Sequence, residues 1–218
     1  MSSNKAHDRY GNVIPDGDID TVVFDIGNVL TDFAWKEFLL DKGFDEEMAE
    51  RIGNASVRTK DWNEIDIGNL STEEIIGRFI KNDPEIEDEL KRAFSDFNDI
   101  VRKRDRAIPW IEALKAAGYR VLYLSNFSEQ ALLGCPDAMS FIEYTDGGIL
   151  SFRDHVIKPY PDIYRLLMER FDIVPAKTVF IDDTKPNVDT AVSLGWKGVV
   201  YKDYEQVKRD LEALKVRY

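Results

Sequence analysis

Residues 22–30 read VVFDIGNVL, an apolar run that ends in a carboxylate and is followed at once by a glycine turn. A short apolar run bounded by a turn predicts a buried strand. In open α/β folds, ligands bind in the crevice at the carboxyl ends of the parallel strands. We therefore expect Asp25 to lie at the edge of a central sheet and to face a ligand.

Two later segments have the same form. VLYLSN ends in the hydroxyl of Ser125 and the amide of Asn126, and VFIDD ends in the paired carboxylates of Asp182 and Asp183. Lys158 lies between these two segments. A nucleophilic carboxylate, a hydroxyl, an ammonium group and an acidic pair are the parts of a magnesium-dependent phosphoryl-transfer site.

The bulk properties narrow the class of protein. The length of 218 residues suits one large domain or a core with a small satellite. The net charge of -12 argues against nucleic acid or an anionic membrane as a partner. No apolar stretch approaches the ~20 residues of a membrane helix. The single cysteine, Cys135, cannot form an internal disulfide, which predicts a cytoplasmic protein. Residues 1–19 are polar and are expected to be a flexible leader without a signal peptide.

Apolar runs and helical patterns alternate in the later part of the chain, which predicts a Rossmann-like parallel sheet with helices on both faces. The expected strands are 21–25, 120–125, 178–182 and 198–201, and the expected helices are 109–117, 162–171, 186–194 and 204–215. Gly118 and Gly195 lie where helices should end. Residues 144–150, with Asp-Gly at the centre, predict a small hairpin.

Residues 35–106 do not follow this alternation of strands and helices. This interval has no convincing strand, and its apolar residues recur at helical spacing, with Ser71 or Asn69 as a helix N-cap. We expect a small helical bundle here, inserted into a core formed by 20–34 and 107–218. Such an insert beside an active-site edge is a plausible lid, and the alternative is a stabilising insert with no role in substrate binding.

These segments together resemble the haloacid dehalogenase-like (HAD) hydrolase superfamily, in its subfamily with a helical cap after the first motif. The pattern is similar to that of the alpha-D-glucose-1-phosphate phosphatases. It is carried by FDIGNV at 24–29, DIGNLS at 66–71, Lys158-Pro159 followed by Ile163-Tyr164, and DDTKPN at 182–187. The resemblance implies a magnesium-dependent phosphomonoesterase for a small phosphorylated metabolite such as a sugar 1-phosphate. The oligomeric state is left open between monomer and homodimer.

The resemblance also implies roles for single residues. Asp25 would be the nucleophile that forms an aspartyl-phosphate and, with the Gly27 carbonyl, a Mg²⁺ ligand. The alternative for Asp25 is a turn-forming aspartate. The backbone at Ile26 and Gly27, together with Ser125 and Asn126, would bind phosphate. The alternative for Ser125 is a helix N-cap.

Three further roles concern the lysine and the acidic motif. Lys158 would neutralise charge on the phosphate and on the nucleophile, whereas a lone lysine is normally a solvated surface charge. Asp183 would bind the metal directly, while Asp182 would orient water; an exposed acidic turn is the alternative. Asn187 would orient Asp183 or Lys158, or simply occupy the first turn of a helix.

Gly27 is the main departure from the superfamily, because most of its phosphatases carry an aspartate there as general acid and base. Loss of this general acid and base lowers the rate by ~10²–10⁴-fold. Either the leaving group is good, as an anomeric hydroxyl is, or a cap residue or water supplies the proton. Asp32 is near in sequence and is a candidate substitute acid, but a cap-hinge or surface role is favoured for it. His155 stands where the resembling loop usually has glycine, and is expected to be a loop residue.

Other residues and other functions stay open. Trp62, Asn63, Glu64 and Asp66 in the insert are candidates to face the substrate, although Trp62 is more typical of a core. A non-catalytic metabolite-binding protein is the main alternative, because of Gly27. A dehalogenase is the second, although the acidic pair speaks against its metal-free chemistry. A signalling receiver has similar groups in a different order along the chain.

Overall fold

The computed structural model describes residue 13 and residues 17–218 of the chain. Most of the predicted leader, residues 1–12 and 14–16, lies outside the described residues. The strands are β1 Thr21–Phe24, β2 Thr31–Phe33, β3 Val101–Lys103, β4 Arg120–Ser125, β5 Gly148–Leu150, β6 Thr178–Asp182 and β7 Lys197–Val200. The helices are α1 Trp35–Asp41, α2 Glu46–Ala55, α3 Trp62–Ile67, α4 Thr72–Asn82, α5 Glu87–Ala93, α6 Ala107–Ala116, α7 Glu129–Gly134, α8 Pro161–Arg170, α9 Lys185–Ser193 and α10 Tyr204–Ala213.

The core is a five-stranded parallel sheet with the strand order β5-β4-β1-β6-β7. The predicted α/β fold is confirmed. β1, β4 and β6 are buried along nearly their whole length, which explains their continuous apolar sequences. Helices α6 and α9 end before Gly118 and Gly195, which adopt the positive φ values of 94° and 91°.

Successive residues of each strand pack on opposite faces of the sheet. Val22 and its partners on the adjacent strands pack in a cluster that includes residues of α6 and α10. Val23 and its partners on the adjacent strands pack in a second cluster, with residues of α8 and α9. This period of two is the ordinary geometry of a strand. The helices therefore cover both faces and leave the carboxyl edge of the sheet for the loops.

Five helices, α1 to α5, lie between β2 and β3. Ser71 begins α4 with a full capping box, so it is Ser71 and not Asn69 that caps this helix. Trp62 packs among the phenylalanines of this region, stacking on Phe79 at 6.1 Å between ring centroids. The expectation that 35–106 holds no strand is wrong, because β3 pairs antiparallel with β2. Its three residues, VRK, are too few and too polar for a strand pattern. The boundaries of a separate cap at residues 35 and 106 stay a prediction.

The hairpin predicted at 144–150 is also wrong. Residues 140–144 form a 3₁₀ turn, and Gly148–Leu150 adds a parallel edge strand beside β4. The Asp146 carboxylate accepts hydrogen bonds from the Val121 N–H at 2.8 Å and from Lys115 at 2.6 Å. These bonds hold the Asp-Gly segment against the sheet instead of leaving it as a hairpin turn.

Within residues 17–218, no helix combines the length and the apolar character that crossing a membrane requires.

Candidate active site

The site lies where three neighbouring strands end. β1 pairs with β4 on one side and with β6 on the other, and all three run in the same direction. Asp25 follows β1, Ser125 ends β4, and Asp182 ends β6. Because parallel neighbours end at the same edge, three polar residues that are distant in sequence meet there.

The carboxylate of Asp25 is held asymmetrically. Its Oδ1 accepts hydrogen bonds from the Ile26 N–H at 2.7 Å and Ser125 Oγ at 2.8 Å, and forms an ion pair with Lys158 Nζ at 2.7 Å. No donor among residues 17–218 reaches Oδ2. Burial raises the pKa of Asp25 to about 7, against the lowering effect of Lys158. One oxygen of this carboxylate is therefore saturated, and the other is free.

Lys158 is the cation of the site, and it is only 3% exposed. Its ammonium group bridges Asp25 Oδ1 and Asp182 Oδ2, each at 2.7 Å. Burial alone would lower the pKa of Lys158, but Asp182 and Asp25 outweigh burial and hold this pKa above its ordinary value. The alternative of a solvated surface lysine is wrong.

Asn126 holds the backbone of this lysine. Its Oδ1 accepts from the Lys158 N–H at 2.7 Å, and its Nδ2 donates to the Lys158 carbonyl at 3.0 Å. Both side-chain atoms predicted to assist phosphate are therefore engaged with the lysine loop. The N–H of Ile26, another predicted phosphate donor, is engaged with Asp25. Phosphate binding by the backbone at Gly27 and Asn126 stays a prediction.

Asp182 is fully buried and saturated with hydrogen bonds. It accepts from Lys158 Nζ at 2.7 Å, the Thr184 N–H at 2.7 Å and Asn187 Nδ2 at 3.0 Å. Asn187 does lie in the first turn of α9. It orients Asp182, however, and not Asp183 or Lys158 as predicted, because its side chain points back at the end of β6.

Asp183 is only half-buried and points into the site. Its carboxylate accepts from Asn28 Nδ2 at 3.0 Å and Thr184 Oγ1 at 3.2 Å. Oxygens of Asp25, Asp182 and Asp183 all lie within 4.8 Å of one another. Like charges this close repel unless a cation balances them. An all-oxygen donor set suits Mg²⁺, so these residues fit the ion that the sequence predicted.

A cavity of about 220 Å³ opens over these groups. Its polar end is lined by Asp25, Gly27, Asn28, Ser125, Asn126, Lys158, Asp183, Thr184 and Asn187. The rest of its lining is mostly apolar: Phe33, Trp62, Phe97, Ile100, Val101, Phe127 and Ala131, with Ser128 and Asp66. Four lining residues belong to the insert between β2 and β3: Trp62, Asp66, Phe97 and Ile100. The insert thus helps to form the cavity.

Of the four insert residues considered as substrate-facing, Trp62 and Asp66 line the cavity, whereas Asn63 and Glu64 do not. Glu64 instead lies 3.4 Å from Arg78. Burial raises the pKa of Asp66 to about 7, with Lys158 lowering it and Asp25 raising it. Asp66 therefore keeps its proton to a higher pH than an exposed aspartate does.

The positions of three further residues in the structure decide what the sequence had left open about them. Ser128, and not Ser125, caps α7. Asp32 binds Arg104 Nε at 2.8 Å outside the cavity lining, consistent with a hinge or surface role. His155 is exposed and has a φ of 58°, which explains why the resembling loop usually has glycine at this position.

Sequence reasoning missed Asn28 and Thr184. Asn28 follows Gly27 in the turn after β1 and has a φ of 57°, a conformation that asparagine tolerates. Its position directly after the end of a predicted strand could have identified Asn28 as a site residue. Thr184 follows the acidic pair and supplies an N–H to one carboxylate and a hydroxyl to the other.

Comparisons with known proteins show what the chain is similar to. A family model described as haloacid dehalogenase-like hydrolase matches residues 19–195. A phosphorylated carbohydrates phosphatase from Thermotoga maritima is 25% identical over 187 residues, which cover 81% of this chain and 82% of the relative. A D-ribitol-5-phosphate phosphatase from Bacteroides thetaiotaomicron is 25% identical over 195 residues, covering 82% of this chain and 90% of the relative.

A solved structure adds support for the fold. A HAD family enzyme from Bacteroides thetaiotaomicron, in complex with magnesium and inorganic phosphate, matches with a TM-score of 0.65 at 20% identity. The match covers 87% of this chain and 98% of that enzyme. Similarity at this level of identity shows the fold alone.

Proposed function

The chain belongs to the haloacid dehalogenase-like hydrolase family, and we propose that it is a magnesium-dependent phosphomonoesterase with Asp25 as the nucleophile. The observation that carries this proposal is the asymmetry of Asp25. One carboxylate oxygen is held by three donors, while Oδ2 has no partner among the described residues. A fixed carboxylate with a free oxygen, beside a buried cation and two further carboxylates, suits attack on phosphorus.

Each group has a definite task in this reaction. The Asp25 carboxylate attacks the phosphorus atom and forms an aspartyl-phosphate, which water then hydrolyses. Lys158 offsets negative charge on Asp25 and on the incoming phosphoryl oxygens. Ser125 donates its hydroxyl hydrogen to Asp25 or to a phosphoryl oxygen. Asp182 takes no part in bond making; it holds Lys158 in place.

Mg²⁺ would be held by the carboxylates of Asp25 and Asp183 and by the backbone carbonyl of Gly27, with Asp182 supporting them. The bound ion would neutralise charge on the phosphoryl group as it is transferred. The acidic pair that supports a metal site also argues against a dehalogenase. The alternative of a non-catalytic binding protein rests on the absence of a side chain at Gly27.

The substrate we propose is a small phosphorylated metabolite, because the cavity has a volume of only about 220 Å³. The names of the two curated relatives support a phosphorylated carbohydrate. A sugar 1-phosphate is the best candidate, because its anomeric hydroxyl is a better leaving group than a simple alcohol.

The test is release of inorganic phosphate from a panel of phosphorylated metabolites, with Mg²⁺ and with EDTA. We expect turnover by the wild type that EDTA abolishes, and no release above background by Asp25→Asn. Asp189→Asn is the matched control, because this carboxylate is on α9 and its side chain is 58% exposed. Ligand-dependent thermal stabilisation without turnover by the wild type would refute the proposal in favour of the binding protein.

A further inference from the structure

Phosphoryl transfer to Asp25 leaves a proton unaccounted for. The departing ester oxygen carries the electron pair of the broken P–O bond, and protonation of that oxygen lowers the barrier when the alcohol is weakly acidic. Gly27 has no side chain to supply the proton. A donor must therefore come from elsewhere in the cavity lining.

Most groups that could donate a proton are already engaged. Lys158 is bound to two carboxylates, the hydroxyl of Ser125 donates to Asp25, and the hydroxyl of Thr184 donates to Asp183. The hydroxyl oxygen of Ser128 accepts the Ala131 N–H as the N-cap of α7, and an aliphatic hydroxyl is too weak an acid to serve as the proton donor. In the described part of the chain, Asp66 is the one carboxyl group of the cavity lining that lies outside the metal-binding cluster.

We propose that Asp66 is the general acid and base of this site, placed on the insert instead of two residues after the nucleophile. This inference rests on the proposed phosphomonoesterase function. Asp66 is half-buried and lines the same cavity as Asp25, and its carboxyl group has no hydrogen-bond or ion-pair partner among residues 17–218. An unpartnered polar group facing a cavity is free to contact a substrate.

The backbone at Asp66 is attached firmly to the core. Ser151 Oγ donates to the Asp66 carbonyl at 2.5 Å and accepts from the Phe127 N–H at 2.9 Å. The Asp66 carbonyl is thereby linked, through one hydroxyl, to the loop that follows Ser125. The next residue is held by a second hydrogen bond, between His155 Nδ1 and the Ile67 carbonyl oxygen at 2.9 Å.

Gly68 permits this close approach. It ends α3 with a φ of 73°, and a Cβ at this position would lie 2.9 Å from both Cβ and the carbonyl oxygen of Phe152. The end of α3 therefore rests directly on the backbone of the 151–155 loop. These contacts fix the backbone that carries the Asp66 carboxyl group, and a catalytic group needs such a rigid support.

The electrostatic environment suits the role. Burial raises the pKa of Asp66 to about 7, Asp25 adds to this effect, and Lys158 opposes it. Glu64 on the same helix is turned toward Arg78, and His155 is occupied by the Ile67 carbonyl. A general acid works best when its pKa lies near the working pH.

The proton balance closes over the two half-reactions. In the first, Asp25 forms a bond to phosphorus, the P–O ester bond breaks, and the ester oxygen takes the proton of Asp66 to leave as a neutral alcohol. In the second, water attacks the aspartyl-phosphate and gives a proton to the Asp66 carboxylate. The Asp25–P bond then breaks, phosphate leaves, and Asp66 is protonated again.

The test compares leaving groups of different acidity. We expect Asp66→Asn to lower kcat/KM by about 10²-fold or more for alkyl phosphates such as a sugar 6-phosphate, but much less for p-nitrophenyl phosphate. Nitrophenolate leaves without a proton. kcat/KM reports only the steps through release of the leaving group, so slower hydrolysis of the phosphoenzyme does not affect the comparison.

Two further variants serve as control and rescue. Glu64→Gln also replaces a carboxylate with an amide on α3, but outside the cavity. It should leave kcat/KM unchanged for both substrates. A Cβ at Gly27 would meet no atom within 4 Å, so Gly27→Asp introduces no clash at Cβ. Added to Asp66→Asn, Gly27→Asp should restore part of the activity on alkyl phosphates.

The outcomes separate this inference from the proposed function. An equal loss on both substrates, or no loss, with Asp66→Asn would overturn the role of Asp66 and leave the phosphatase proposal intact. A wild-type protein that releases phosphate from neither of these two substrates nor from a sugar 1-phosphate would remove the proposed function itself.

Discussion

Asp66→Asn should stabilise the metal-free protein at pH 8 more than at pH 5. In the unfolded chain this carboxyl group loses its proton near its ordinary pKa of 3.8, whereas in the folded protein its pKa is about 7. Between these values the folded state binds a proton that the unfolded state has lost. Stability therefore falls as pH rises through this window, and the loss is complete above the folded pKa.

The magnitude follows from the difference between the two pKa values. Each unit corresponds to about 1.4 kcal/mol, so ionised Asp66 should cost about 4 kcal/mol at pH 8 and only about 1 to 2 kcal/mol at pH 5. An asparagine does not titrate. The gain in the free energy of unfolding on Asp66→Asn should then be 2 to 3 kcal/mol larger, roughly, at pH 8 than at pH 5.

The assay is urea unfolding at pH 5 and pH 8 in buffers that contain EDTA and no phosphate. Taking the difference between variant and wild type at each pH cancels the titration of groups that the substitution leaves unchanged, and also the constant effect of the amide. Glu64→Gln should show no comparable pH dependence. A gain for Asp66→Asn that is the same at both pH values would mean that Asp66 titrates normally in the folded protein, and would refute the reasoning.

Three other predictions follow from the site. Asp183→Asn should raise the Mg²⁺ concentration needed for half-maximal activity, measured by titration; an unchanged requirement would exclude it as a ligand. Lys158→Met should destabilise by about 3–5 kcal/mol in urea unfolding, because Asp25 loses its buried partner; a smaller loss would show that water replaces the ammonium group. Gly68→Ala should cost about 1–3 kcal/mol, because φ is positive and Phe152 is too close; an unchanged unfolding midpoint would contradict this.

Much of the core could be predicted from sequence because strands buried on both faces leave continuous apolar runs. The residues at the ends of these runs, such as Asp25 and Asp182, were therefore identifiable as neighbours at one edge. The same logic failed for β3, which has three residues and one buried position, and for 144–150, where a local turn signal was overridden by bonds to the sheet.

The partners of the polar side chains could not be predicted. Asn126 and Asn187 were correctly placed at the site, but Asn126 holds the backbone of Lys158 and Asn187 holds Asp182. The direction of an amide depends on atoms more than 30 residues away in the first case. Spacing along the chain carries no information about that direction.

The amino-acid sequence by itself determined the α/β class, the nucleophile candidate Asp25 and the acidic pair, because periodicity and strand ends are local properties. Only the tertiary structure decided that Oδ2 of Asp25 is free, that Asp182 is saturated while Asp183 is open, and that Asp66 faces the cavity and Glu64 does not. Those facts depend on which elements pack together and on how burial changes a carboxyl group, and both arise only when distant segments meet.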